Sequence, residues 1–419
     1  MTLFGILWLG AMLYALAKKN IKYMLYLCLF NMTLQSTNVI VLGSLGGVGP
    51  QLMTSGLFVL KAISLKIRNG KLQVLKREPL MTKWFLVLLV LEIICSAQFS
   101  HTLSSSMLSI IQLLIYILCF FAISNIDASR QLDTYKLIRS IIVVMICFGV
   151  IQWLTSNNIL PLKSILKAII YNDNGGSVAF LAGSKRLYST FMEPSYFAGF
   201  LVGSFFYLLS ITDKWKENYF LMGSIFVELL LTRSSTGYGA FAILCVLFII
   251  TSKKMSTQRK ILLILIGIIG VFFAFAFAYK TLDAVIFSKG QTGSAGTRNV
   301  WNIYAARAFM SSPILGTGYK TVRGSSIIYS LLGQIGIAGM VIYIATNLTM
   351  VFGLLRVNKK NEKFSESQGI AYAVLGCLLC EIIACPDLDL CTYWFWIYCA
   401  GLYLRPESPR ESTCISARL

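Results

Sequence analysis

The chain alternates apolar stretches of membrane-crossing length with short basic loops, and this alternation leaves little choice of fold. In a bilayer each crossing segment must satisfy its own backbone hydrogen bonds, which a helix of about 20 apolar residues does. Composition excludes a water-soluble globule: 57% of residues are hydrophobic and 13% charged, against roughly 25% charged in a soluble domain. The expected fold is therefore all-α, one polytopic integral membrane domain over residues 1–419 with about thirteen transmembrane helices (about 12–14). The apolar runs place them at 1–17, 23–44, 51–66, 84–99, 104–123, 138–155, 195–212, 219–232, 236–252, 261–279, 328–355, 368–385 and 391–404.

Charge sets the orientation. A net charge of +20 in a soluble protein would point to nucleic acid, but here the positive-inside rule accounts for it and no nucleic-acid partner is expected. Of the 37 lysines and arginines, 25 fall in alternate loops read as cytoplasmic, among them Lys18, Lys19, Lys22, Lys214, Lys216, Arg356 and Lys359. In the first run the charges follow the apolar core, so it reads as a retained helix with its N-terminus outside instead of a cleaved signal. Lys61 lies within a span. The remaining cations belong to two long loops on the opposite side, 156–194 (Lys163, Lys167, Lys185, Arg186) and 280–327 (Lys280, Lys289, Arg298, Arg307, Lys320, Arg323), and to Arg233 in a tight turn. Cations on the translocated side run against sorting, which marks them as functional candidates.

Other features carry less. Most of the eleven cysteines sit in apolar runs, where they act as small hydrophobes. Cys377 and Cys380 form a CxxC without histidine partners, so neither metal nor cofactor is expected. Cys385 and Cys391 flank Pro386-Asp387-Leu388-Asp389-Leu390, leaving open a disulfide or two thiols. No repeat of 20–50 residues and no matched Gly/Pro interruptions occur, which disfavours a solenoid or an inverted-repeat transporter. Glu92, Glu228 and Glu381 lie in apolar runs; the latter two fall near span ends, where water is expected to reach them. His101 reads as a solvated loop residue.

Two motifs carry chemistry. The first loop ends Lys185-Arg186-Leu187-Tyr188-Ser189-Thr190-Phe191-Met192-Glu193-Pro194. The proline disfavours helix for the residue before it, so Glu193 is expected in extended backbone at the start of a span. It offers either a base or an ion pair with Arg186. In the second loop, Thr297 to Arg307 reads as a short amphipathic helix with Thr297 as N-cap and Trp301, Tyr304, Ala305 and Ala308 on one face, lying in the membrane interface. Arg298 and Arg307 fall about 180° apart on that helix, so only one can face a given ligand; Arg298, in the first turn, is the candidate and Arg307 reads as snorkelling. Gly316 and Gly318 either admit a ligand to the backbone or shape a linker.

The succession Arg186…Ser189-Thr190-Phe191-Met192-Glu193-Pro194, Leu231-Thr232-Arg233-Ser234-Ser235-Thr236-Gly237, Thr297-Arg298…Trp301, Pro313-Ile314-Leu315-Gly316-Thr317-Gly318-Tyr319 and Gly333-Gln334-Ile335-Gly336 resembles the O-antigen ligase/polymerase superfamily over residues 180–345. The resemblance implies a metal-independent glycosyltransferase of the bacterial inner membrane, C-type glycosyltransferase-like in architecture. Its active site would face the periplasm, with undecaprenyl-pyrophosphate-linked glycans as donor and acceptor. Arg186 and Arg298 would hold the pyrophosphate, with Arg233, Tyr319, Lys320, Arg323 and Lys185 as further substrate contacts and Glu193 as acceptor base; Asp387 or Asp389 is the fallback base. Ligases of the superfamily carry a histidine at the end of the second loop. Here that stretch reads Thr321-Val322-Arg323-Gly324-Ser325-Ser326, which favours the polymerase (Wzy-type) branch. Expected partners are membrane lipids, a chain-length regulator and a flippase. The rival functions are a ligase acting on lipid A core and a flippase of lipid-linked repeats; a flippase would be expected to carry charges along its transport path and smaller external loops.

Overall fold

The structure, a computed structural model, describes residues 2–41, 47–68, 80–97, 103–125, 133–172, 180, 185–211, 214–251, 258, 261, 293–356 and 364–404. The expected span at 261–279, His101, Lys280 and Lys289 lie outside the described residues. The described chain is all-helical apart from one short hairpin. Its helices are α1 (Leu3–Ala17), α2 (Lys22–Asn31), α3 (Pro50–Arg68), α4 (Leu80–Ala97), α5 (Leu103–Ser124), α6 (Thr134–Ser156), α7 (Lys163–Ile169), α8 (Pro194–Ser210), α9 (Trp215–Leu231), α10 (Ser235–Thr251), α11 (Gly293–Ser311), α12 (Ile327–Leu355), α13 (Phe364–Ala384) and α14 (Cys391–Tyr403). Strands β1 (Ile40–Val41) and β2 (Gly47–Val48) pair antiparallel.

Four helical segments, Met107–Ser124, Thr134–Ser156, Ile327–Leu355 and Ser365–Ala384, are long and apolar enough to cross a membrane, and α1, α8 and α10 are shorter apolar helices. Large apolar side chains such as Leu108, Ile111, Val341, Ile344 and Leu348 point outward. That is the surface expected of a membrane-embedded protein, whose lipid-facing side needs no polar cover.

The centre of the bundle is α8 with α13 and α14. From Ser195 to Gly203 every residue of α8 is buried, as is every residue of α14. A helix apolar on all faces belongs inside other helices. At 13 residues α14 is about 20 Å long, shorter than the roughly 30 Å hydrocarbon layer. It tolerates that length because protein, not lipid, surrounds it. An aromatic chain Phe191–Phe200–Trp396–Tyr207 binds the end of the first loop to this core, with successive centroids 5.4, 6.1 and 5.9 Å apart.

One expected span is broken. The run 23–44 forms helix only to Asn31, and residues 32–39 continue as irregular chain into β1. The cause is polar residues that find partners across the bundle instead of along a helix. Ser36 donates its N–H to the Thr190 carbonyl and its hydroxyl to the Phe191 carbonyl, Gln35 donates to the Thr392 hydroxyl, and Thr37 donates to the Ile170 carbonyl. Irregular backbone at this depth is tolerated because it is enclosed by protein.

α12 is bent at Gly336, whose φ is 63° and ψ −166°. The strip Pro313–Gly318 lies against the bend and takes over the hydrogen bonds that the helix gives up. Ile337 N–H donates to the Pro313 carbonyl (2.9 Å), and Thr317 and Gly318 donate to the Gly333 and Gln334 carbonyls (3.0 and 2.9 Å). Gly316 (φ 73°) leaves no space for a side chain, since an added Cβ would sit 2.3 Å from the Gln334 backbone. The Gly-Thr-Gly strip thus docks on the protein's own kink: the linker reading of these glycines holds.

Further corrections follow. α11 begins at Gly293, so Thr297 is inside the helix and not its N-cap. The apolar face expected of α11 splits, with Ala305 buried, Trp301 half-buried and Tyr304 exposed. Glu228 and Glu381 are buried and not wetted. Interhelical packing outweighs their position near the span ends. Cys385 and Cys391 are separate thiols.

Candidate functional site

The strips that carry the candidate residues converge at one end of the bundle, where α6 and α9 end and α8, α10, α12 and α14 begin. The basic loops Lys18–Lys22, Lys214–Lys216 and the segment after α12 lie at the other end.

Arg186 is positioned from three sides. Gln152 on α6 accepts from the N–H groups of Tyr188 (2.9 Å) and Ser189 (3.2 Å) and donates to the Arg186 carbonyl (3.2 Å). The Ser189 hydroxyl donates to the Met145 carbonyl at 2.9 Å, and Leu187 N–H donates to the Leu231 carbonyl at 3.2 Å. The guanidinium then reaches over the C-terminus of α9, donating to the carbonyls of Thr232 and Arg233, both at 3.0 Å. Those carbonyls carry the partial negative charge of a helix end, a natural seat for a cation. Burial, together with the nearby Arg298 and Arg233, lowers the guanidinium's proton affinity, while Glu193 and Tyr238 oppose the shift. Arg186, Arg233 and Arg298 are therefore close enough to repel one another, and an anion among them would relieve that repulsion.

Glu193 adopts the expected extended conformation, φ −137° and ψ 149°, immediately before Pro194 opens α8. Its carboxylate is exposed and accepts from the Ser195 hydroxyl at 3.2 Å. The field of Glu193 reaches both Arg186 and Tyr196, so it lies between this arginine group and a second charged cluster.

That second cluster centres on Lys320, which bridges Asp387 (2.9 Å) and Asp389 (2.7 Å) in the loop between α13 and α14. Arg323 stands 3.6 Å from Asp387 and 4.8 Å above the Trp301 ring. Tyr196 donates to Asp387 at 3.0 Å. Burial alone would raise the Asp387 carboxyl, but Lys320 and Arg323 overcome it and hold it below the usual aspartate range. Burial likewise opposes the Lys320 charge, and Asp389 and Asp387 outweigh it, so the ammonium is held above its usual range. Both fallback bases are thus engaged as partners of cations. Tyr319 is fully buried, and its hydroxyl has no hydrogen-bond partner among the described residues. Burial raises it well above its usual value.

Arg298 and Arg307 are both exposed on α11, and Lys185 is exposed beside Arg186. Among the described residues no three His, Cys, Asp or Glu converge as a metal site would require. Neither the family models nor the curated proteins contain a match to this chain.

Three of the four non-glycine residues with positive φ among the described residues, Ser189, Arg233 and Lys320, fall in these strips. Such conformations cost about 1–3 kcal/mol each and persist where the surroundings over-determine them. The sequence reading missed Gln152, Thr232 and Tyr196 as supports. Gln152 carried a signal, a lone amide in an apolar span; the carbonyl of Thr232 carried none, because backbone acceptors have no residue code.

Proposed function

We propose that the protein is a polymerase of lipid-linked glycan repeat units, using polyprenyl-pyrophosphate-linked sugars as donor and acceptor at the outer face of a bacterial inner membrane. The chain would cross that membrane about thirteen times, with the arginine end outside as the charge distribution of its loops predicts. The observation that carries the reading is the grouping of Arg186, Arg233 and Arg298 around one end of α9, with an exposed carboxylate, Glu193, between it and the Lys320 cluster.

In this mechanism the donor's pyrophosphate sits among the three arginines. An acceptor hydroxyl attacks the anomeric carbon, the bond from that carbon to the phosphate oxygen breaks, and the electron pair leaves on the pyrophosphate. Guanidinium groups stabilise the charge that develops there. The acceptor proton passes to Glu193. Lys320, Arg323 and the two aspartates hold the second loop in place, and Arg323 with Trp301 borders the acceptor side.

The test is complementation of a host lacking this chain. Arg186→Ala and Arg298→Ala should each remove long surface polysaccharide while the protein remains in the membrane at normal level. Glu193→Gln should shorten the polymer and slow its growth; normal length and rate in that variant would remove the base assignment, and normal polymer in both arginine variants would remove the reading.

A further inference from the structure

Between α6 and α9 runs an apolar cavity of 620 Å³, lined by Ile146, Val150 and Trp153 on one wall and Gly223, Val227 and Leu231 on the other. It opens sideways, as Val150, Val227, Tyr219 and Phe220 are 45%, 55%, 71% and 78% exposed. From Phe220 to Leu231 the α9 wall is about 16 Å long. Its far end is closed by Leu187, the residue next to Arg186, whose N–H is bonded to Leu231. An apolar channel open to the lipid therefore ends directly beneath the arginine group.

We propose that this groove seats the isoprenoid chain of a polyprenyl-linked pyrophosphate while Arg186, Arg233 and Arg298 hold its head. The inference rests on the function proposed above and adds the lipid's place and its lateral route into the site. In a bilayer an apolar groove offers no hydrophobic gain over lipid, so its occupant is chosen by headgroup charge and by shape. Three arginines suit a pyrophosphate better than a singly charged phosphodiester. A slot one chain wide between two helices suits a single-chain lipid better than a two-chain one. Glu228 forms part of the wall, with neither carboxyl oxygen bonded among the described residues, and Gly149 opposite leaves it space: a Cβ there would lie 2.8 Å from Oε1.

The test is photolabelling of the full chain in nanodiscs with a diazirine-bearing undecaprenyl pyrophosphate. The groove predicts label on peptides covering 146–154 and 219–231, displaced by unlabelled undecaprenyl pyrophosphate and not by phosphatidylglycerol. Gly223→Trp should abolish that label, since an added Cβ at Gly223 meets nothing within 4 Å and the indole can enter the groove. Val227→Trp, at an exposed position, provides a second block should the first not assemble. Label elsewhere, equal displacement by phosphatidylglycerol, or undiminished label in a folded Trp variant overturns the proposal. Label in the groove without chain growth would keep this inference and remove the glycosyltransferase reading; chain growth with label elsewhere would do the reverse.

Discussion

Lys320 reaches two aspartates from a backbone with φ 63°, so its side-chain bonds and its strained backbone must be kept together. Replacing it with Met leaves two partly buried carboxylates facing each other and should cost about 3 kcal/mol of stability. Adding Asp389→Asn to that variant should recover part of the loss, because coupled residues are not additive; a thermal melt in detergent checks both. The same cluster fixes a pH dependence. Asp387 is held below its usual range, so its contribution is present above the unfolded value and is lost as pH falls through the folded one. Lys320 is held above its range, so its contribution is present below the unfolded value and is lost as pH rises through the folded one. Melting temperature should therefore gain a plateau from this cluster between about pH 5 and pH 10, and Asp387→Asn should flatten the acid limb. At Arg186 the two backbone carbonyls and the neighbouring arginines specify a planar fork, so Arg186→Lys should fail to restore activity although it keeps the charge.

At the scale of elements, the kink of α12 and the strip Pro313–Gly318 stand or fall together. Gly336→Ala places a Cβ 2.2 Å from the Ile314 carbonyl oxygen at a positive φ, and should cost at least about 2 kcal/mol. Since the strip continues into Lys320 and Arg323, loss of polymerisation should exceed what the lower protein level explains; polymer yield per unit of membrane-inserted protein measures this. Gln152→Leu leaves the Tyr188 and Ser189 N–H groups without their acceptor, at about 1–3 kcal/mol each, and should loosen Arg186. Most helices were legible in the sequence because hydropathy alone dictates them: α3, α5, α6, α8 and α10 start and stop within a few residues of the expected spans. The break after Asn31 was not legible, because Gln35, Ser36 and Thr37 bond to residues far along the chain. The bend at Gly336 was equally hidden, since its replacement hydrogen bonds come from the strip at Pro313 to Gly318. In the site, the cations and Glu193 were visible as residues out of place for their loops. The pairing of Lys320 with Asp387 and Asp389 was not, because it joins loops 67 and 69 residues apart.

For the molecule as a whole, the arginine group, the Lys320 cluster and the lateral groove share one end of the bundle, while Lys18, Lys214 and Arg356 mark the other. With cysteines introduced singly into a cysteine-free background, Met192→Cys should react with an impermeant thiol reagent from outside intact inner-membrane-exposed cells, and Lys214→Cys should react only after permeabilisation. The reverse pattern would turn the site towards the cytoplasm and end the polymerase account. The most direct test of the central claim is reconstitution of the purified chain alone with undecaprenyl-pyrophosphate-linked repeat units in the presence of a metal chelator. The account predicts a ladder of longer lipid-linked glycans that disappears in Arg186→Ala and Arg298→Ala. Movement of labelled repeats across the bilayer without chain growth, or transfer only when lipid A core is supplied, would contradict it.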